Sequence, residues 1–111
     1  MPRKPSPAAH RKSAYLKAQR RLRRNPIGAR IEAAITRTRG VQGGLPCLAG
    51  TRIHIERCIV DPFMSGSPIK EIHNAYSPWF TVEQIEDALR WWYHFGDCWR
   101  AVPVRKGGGK R

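Results

Sequence analysis

The hydrophobic positions change period along the chain. Between Ser13 and Arg24 they are sparse, with Tyr15, Leu16 and Leu22. Ser13 suits an N-cap, so this stretch predicts a helix with little apolar face, preceded by a disordered segment through His10 that carries three prolines. Ile27, Ile31, Ala34 and Ile35 then fall at helical spacing behind Asn25–Pro26, an N-cap followed by a proline at the first helical position, with Gly40 as the stop. The period shortens from Leu45 to Ile55. Leu45, Cys47 and Leu48 precede Ala49–Gly50–Thr51, and Ile53 and Ile55 follow it with Arg52 and His54 between them. That alternation predicts a β-hairpin, with Gly50 free to take positive φ and Thr51 satisfying turn backbone.

Helical spacing resumes at Glu56. The stretch to Gly66 reads as a short helix with Cys58, Ile59, Phe63 and Met64 inward; Pro62 lies inside it, so the helix either begins near Pro62 or kinks there. Ser67–Pro68 opens a second helix, with Ile69, Ile72 and Tyr76 on one face, and Ser77–Pro78 breaks it. Thr81 and Gln84 form a capping box for a third helix whose stripe is Ile85, Ala88, Leu89, Trp92 and Phe95, ended by Gly96. Trp91 and Trp92 are adjacent and cannot share that stripe, which leaves Trp91 exposed or covered by a partner. The expected fold is therefore mainly α: a small β-hairpin, then a three-helix core with helix-turn-helix spacing of the homeodomain-like or winged kind, and a basic helical N-terminal extension.

Charge changes the picture most. The net charge of +13 over 111 residues divides into +11 for residues 1–40, −2 for 41–96 and +4 for 97–111. This predicts a slightly acidic globular centre at 41–96 between a basic N-terminal arm, partly disordered and then helical, and a flexible basic tail. Basic arms point to a polyanion, above all DNA or RNA, with a solubilising role as the plainer alternative. The candidate phosphate contacts are Arg11, Lys12, Lys17, Arg20, Arg21, Arg23, Arg24 and Arg30. In the third helix the outward residues are Glu83, Gln84, Glu86, Asp87 and Arg90. Only Gln84 and Arg90 suit bases or phosphates, and the three acids oppose entry of this helix into a groove. Arg52 is expected to pair with Glu86 or Asp87 and brace that helix.

Other chemistry is thin. The cysteines Cys47, Cys58 and Cys98 are odd in number and lack metal-ligand spacing, so reduced thiols in a cytoplasmic protein are expected, with no cofactor and no metal. There is no membrane-length apolar run and no secretory-type N-terminus. No nucleophile–base pair and no phosphate-binding glycine loop occur, and the Gly107–Gly109 run before Lys110 has neither strand nor helix beside it, so an enzyme is not expected.

Residues 42–95 resemble the bacterial and phage family known as domain of unknown function 433. The resemblance rests on Gly44-Leu45-Pro46, Gly50-Thr51-Arg52-Ile53, Gly66, the helix from Ile72 to Tyr76 and the Thr81-led helix to Leu89. Pro62, the loosened Tyr76-Ser77-Pro78-Trp79-Phe80 step and the long basic extension depart from the family pattern. The resemblance implies an antitoxin similar to the VapB group, a homodimeric DNA-binding regulator that neutralises a PIN-domain ribonuclease toxin and represses its own operon. Trp91, Trp99, Arg100 and Arg105 are then the partner-binding candidates, with Arg100 or Arg105 inserted among the toxin's metal-holding carboxylates; a solvated tail is the equal alternative. A nucleic-acid-associated protein of a phage or ribonucleoprotein assembly, using its basic arms and no toxin, is the second reading.

Overall fold

Helix α1 (Pro7–Arg23) opens the fold in the computed structural model, which describes residues 6–76 and 78–106. The Ser6 hydroxyl accepts from Ala9 N–H at 3.1 Å. Pro7 stands in the first turn, where a missing N–H costs nothing. The helix thus begins six residues before the expected Ser13, and residues 7–10 are helical rather than disordered. Met1–Pro5, Ser77 and the Gly107–Arg111 segment lie outside the described residues.

Helix α2 (Gly28–Ala34) is shorter than its apolar spacing suggests. At Ile35 the backbone turns extended, and strand β1 (Ile35–Thr36) pairs antiparallel with β2 (Cys47–Leu48), Ile35 opposite Leu48. The two-stranded sheet therefore draws its first strand from the end of α2. The expected hairpin is reduced to one bridge, Cys47 with His54, and to bonds from Leu48 N–H to Ile53 O and from Ile55 N–H to Pro46 O. Its turn forms as the residue types require. Gly50 sits at φ 76°, the Thr51 hydroxyl donates to Leu48 O at 2.8 Å, and it accepts from Ile53 N–H at 3.1 Å.

Pro62 reshapes the next helix. Its ring would clash with a carbonyl one turn back, and the preceding residues Glu56–Val60 widen into a π-helical turn before α3 (Asp61–Met64). Ile59 and Val60 are buried, whereas Phe63 and Met64, expected inward, are exposed. Helix α4 (Ile69–Tyr76) buries Ile72, and α5 (Val82–Phe95) starts from the complete capping box of Thr81 and Gln84.

Helix α5 is the hub. It packs against α1, α2, α4 and the π-helical turn. The resulting core joins Leu22 of α1 and Ile31 of α2 to Ile55, Ile59, Ile85, Trp91 and Phe95. The Tyr15 and Phe95 rings lie 5.6 Å apart. The segment set apart as an arm in the sequence is thus built into the same core. The C-terminal segment is held too. A turn at Trp99–Ala101 precedes a bridge in which Arg105 N–H donates to Arg37 O and Arg39 N–H donates to Arg105 O. The protein is mainly helical with a small two-stranded antiparallel sheet. No helix among the described residues is long and apolar enough to cross a membrane.

Candidate nucleic-acid interface

Two faces of α1 are chemically opposite. Ala14, Tyr15, Ala18 and Leu22 recur at helical spacing and face the core. Lys12, Lys17, Arg20, Arg21, Arg23 and Arg24 are exposed, and Arg11 is half-buried. Among the described residues, Glu32 is the one carboxylate paired with a cation of this helix. It accepts from Arg23 Nε at 3.0 Å and from Gln19 Nε2 at 3.2 Å. Burial, and then the Glu32 charge, push the Tyr15 hydroxyl above its ordinary pKa. The remaining guanidiniums crowd one helix end, where mutual repulsion favours an external anion.

The fold adds tail cations to this helix. Arg100 lines a groove of about 400 Å³ with Arg11, Lys12, Leu16 and Pro103. Arg105 lines a second, of about 780 Å³, with Arg23, Arg24, Asn25 and Glu32. The two basic ends are far apart in the sequence, where only their like sign hints that they could serve one ligand.

Arg37 brings the tail there. Its guanidinium donates to the carbonyls of Gly44, Trp99, Arg100 and Val102 at 2.7 to 3.1 Å. Burial lowers its pKa, yet guanidinium stays charged at any working pH. Arg37 and Arg100 also lie 4.9 and 4.5 Å from the Trp99 ring centroid. Trp99, a partner-binding candidate in the sequence, is therefore half-buried and already engaged within the chain.

Helix α5 offers little to an anion. Asp87, expected outward, is 4% exposed and bonds Arg30 through both oxygens at 2.9 and 3.1 Å, and Arg90 at 2.8 Å. The bond to Asp87 raises the Arg30 pKa. Arg30 and Arg90 are thereby tied down, and Glu83 lies a further 3.7 Å from Arg30. Gln84 is used in the capping box, where its Oε1 accepts from Thr81 N–H at 2.7 Å. Arg52 does not brace α5. It is exposed and without an ion pair among the described residues, because Arg30 holds Asp87; its carbonyl accepts from Gln42 Nε2. Gly50, Thr51 and Ile53 shape the turn. Trp91, expected at a surface, is 2% exposed and belongs to the core, whereas its neighbour Trp92 is half-buried.

Among the described residues no group of three His, Cys, Asp or Glu side chains could hold a metal. The thiols of Cys47 and Cys98 are pushed up by burial, which disfavours reactive thiolates. The hydroxyl of Tyr76 is raised to about 12, first by its hydrogen bond with Cys58 and then by burial.

These features define a small, strongly basic, mainly helical protein with its cations gathered on α1 and the tail. Over residues 35–91, just over half of the 111, the chain matches the family model described as protein of unknown function (DUF433), and it belongs to that family. No curated protein and no solved structure matches it. The family match runs from β1 to Trp91 in α5, so α1, α2 and the Arg100–Arg105 segment lie outside it.

Proposed function

We propose that the protein binds nucleic acid through the cations of α1 and acts as an antitoxin-like, cytoplasmic DNA-binding regulator. One observation supports this most: a helix fixed to the core by Ala18 and Leu22 holds Lys17, Arg20 and Arg24 outward with no carboxylate partner among the described residues. A rigid array of cations releases condensed counterions when it meets a phosphate backbone, at little ordering cost. In this reading α4 and α5 form a helix-turn-helix pair that supports the binding helix instead of reading bases, since Glu83 and Glu86 repel phosphates and Asp87 holds Arg30 and Arg90.

The regulator role, with a PIN-type ribonuclease as toxin, a homodimer and repression of its own operon, rests on the family resemblance. With Trp91 in the core, a toxin or a second copy would meet Trp79 and Tyr93, which are 74% and 83% exposed. A second reading, a nucleic-acid-associated protein without a toxin, draws on the position of α1 and the tail outside the family match.

Fluorescence anisotropy with labelled duplex DNA and RNA across a salt series tests the binding. A steep salt slope that becomes shallower in a K17Q/R20Q variant is expected; a salt-independent signal, or none, sinks the proposal. Co-purification from the native host then separates the two readings. A small nuclease bound in stoichiometric amount favours the antitoxin, and its absence favours the second reading.

A further inference from the structure

We infer that the channel between α1 and the Arg100–Arg105 segment is a track for single-stranded nucleic acid; this deepens the nucleic-acid reading above and rests on it. A third groove of about 190 Å³ shares Tyr15 and Pro103 with the Arg100 groove and Glu32 and Arg105 with the Arg105 groove, so the three join into one channel with cations at both ends and apolar groups between them. Arg11 and Lys12 face Arg100 at one end, and Arg23 and Arg24 face Arg105 at the other. Tyr15, Leu16 and Pro103 lie between, with Leu16 43% exposed. Among the described residues the one carboxylate lining the track, Glu32, is neutralised by Arg23, which leaves Arg24 and Arg105 in surplus.

Length fits the ligand. From Lys12 to Arg23 the helix rises about 17 Å. At about 3.4 Å per nucleotide along a stacked strand, that spans roughly five nucleotides.

Shape selects a single strand over a duplex. A lone helix of about 10–12 Å diameter fills a major groove of about 12 Å. Here α1 is packed against α2 and the Trp99–Ala101 turn, so it does not stand free as a lone groove-filling helix does. A duplex also keeps its bases stacked inside and would leave Tyr15, Leu16 and Pro103 uncovered. A single strand can lay its phosphates on the end cations and its bases on the apolar middle, as stacking surfaces in charged grooves do.

The experiment uses the full chain and fluorescein-labelled oligothymidylate and oligouridylate of increasing length, a duplex of equal length, and polyglutamate as competitor. Expected are single-strand affinity at least about tenfold above duplex, saturation near roughly five to six nucleotides, and a salt slope shallower by ~0.7 for each lost phosphate contact in R100Q/R105Q. Both side chains are exposed, and R105Q alone serves if loss of the Arg100 contact with Trp99 unfolds the double variant. R57Q/K70Q, which alters exposed cations outside the track, should bind as the parent does. Equal or tighter duplex binding, unchanged affinity in R105Q and R100Q/R105Q, or polyglutamate competing as well as the oligonucleotide overturns the track. Duplex binding that depends on Lys17 and Arg20 but not on Arg100 and Arg105 overturns it while sparing the function proposed above. Binding to no nucleic acid overturns both.

Discussion

Arg30 and Asp87 form a two-pronged ion pair that joins α2 to α5 across 57 residues of sequence, with bonds of 2.9 and 3.1 Å. The carboxylate is buried, while both of its guanidinium partners reach solvent. That asymmetry sets the consequence of mutation. Asp87→Ala frees Arg30 and Arg90 to hydrate, so the loss is that of charge-assisted bonds, on the order of 2 kcal/mol. Thermal unfolding followed by circular dichroism should show a midpoint lower by roughly 10 °C. Arg30→Ala should cost less, because Arg90 still bonds Asp87.

The Arg37 clasp yields a local prediction. Its guanidinium serves three carbonyls of the C-terminal segment and one of the loop at Gly44. Arg37→Lys keeps the charge but not the planar fork, and one ammonium cannot reach carbonyls on two sides. Hydrogen exchange should quicken at Ala101, Val102 and Arg105 while Ile85 to Phe95 stay protected. If the track holds, single-strand affinity falls in the same variant because Arg100 and Arg105 lose their anchor.

One physical cause lies behind most differences between sequence and structure. The capping box of α5, the Gly50–Thr51 turn, the α4 stripe and the family were legible because each depends on neighbours within a few residues. The partners of α5 were not. If residues 1–40 form an arm, α5 has only a narrow buried face, and Trp91 and Asp87 fall outside it. With α1 packed near Phe95 and α2 bonded to Asp87, that face widens and both become interior. The basic residues likewise fall into two arms along the sequence, whereas Arg37 gathers them on one side. Ser6–Pro7 carried a cap-and-proline start, but among three prolines it read as disorder.

His94 gives a pH dependence with a definite sign. Its Nδ1 is buried without a hydrogen-bond partner among the described residues, and burial, then the Arg21 charge, hold its pKa below the ordinary 6.5. The unfolded chain takes up this proton near pH 6.5, and the folded chain only at lower pH. Between the two values the unfolded state binds more protons, so stability is full above pH 6.5, declines as pH falls below it, and levels off beneath the folded pKa. Urea unfolding between about pH 8 and about pH 5.5 should show this decline, at no more than the ~1.4 kcal/mol per pH unit of one proton. His94→Gln should flatten it.

Helix α1 serves packing on one face and binding on the other, and the two should separate by mutation. Leu22 is 1% exposed within the core. Leu22→Ala removes that packing at a cost of ~2–4 kcal/mol, an appreciable part of the stability of a domain this size. K17Q/R20Q touches no buried group and should leave the unfolding midpoint within a few degrees while weakening nucleic-acid binding. Deleting residues 1–24 combines both effects, so lost binding in the truncated chain would not by itself assign the cations their role. The decisive comparison is between full-length variants at a temperature where Leu22→Ala is still folded. If Leu22→Ala binds with nearly parental affinity and K17Q/R20Q does not, the outward face is the contact. If Leu22→Ala loses affinity and K17Q/R20Q keeps it, binding requires only that α1 be in place, and the cations must be sought elsewhere.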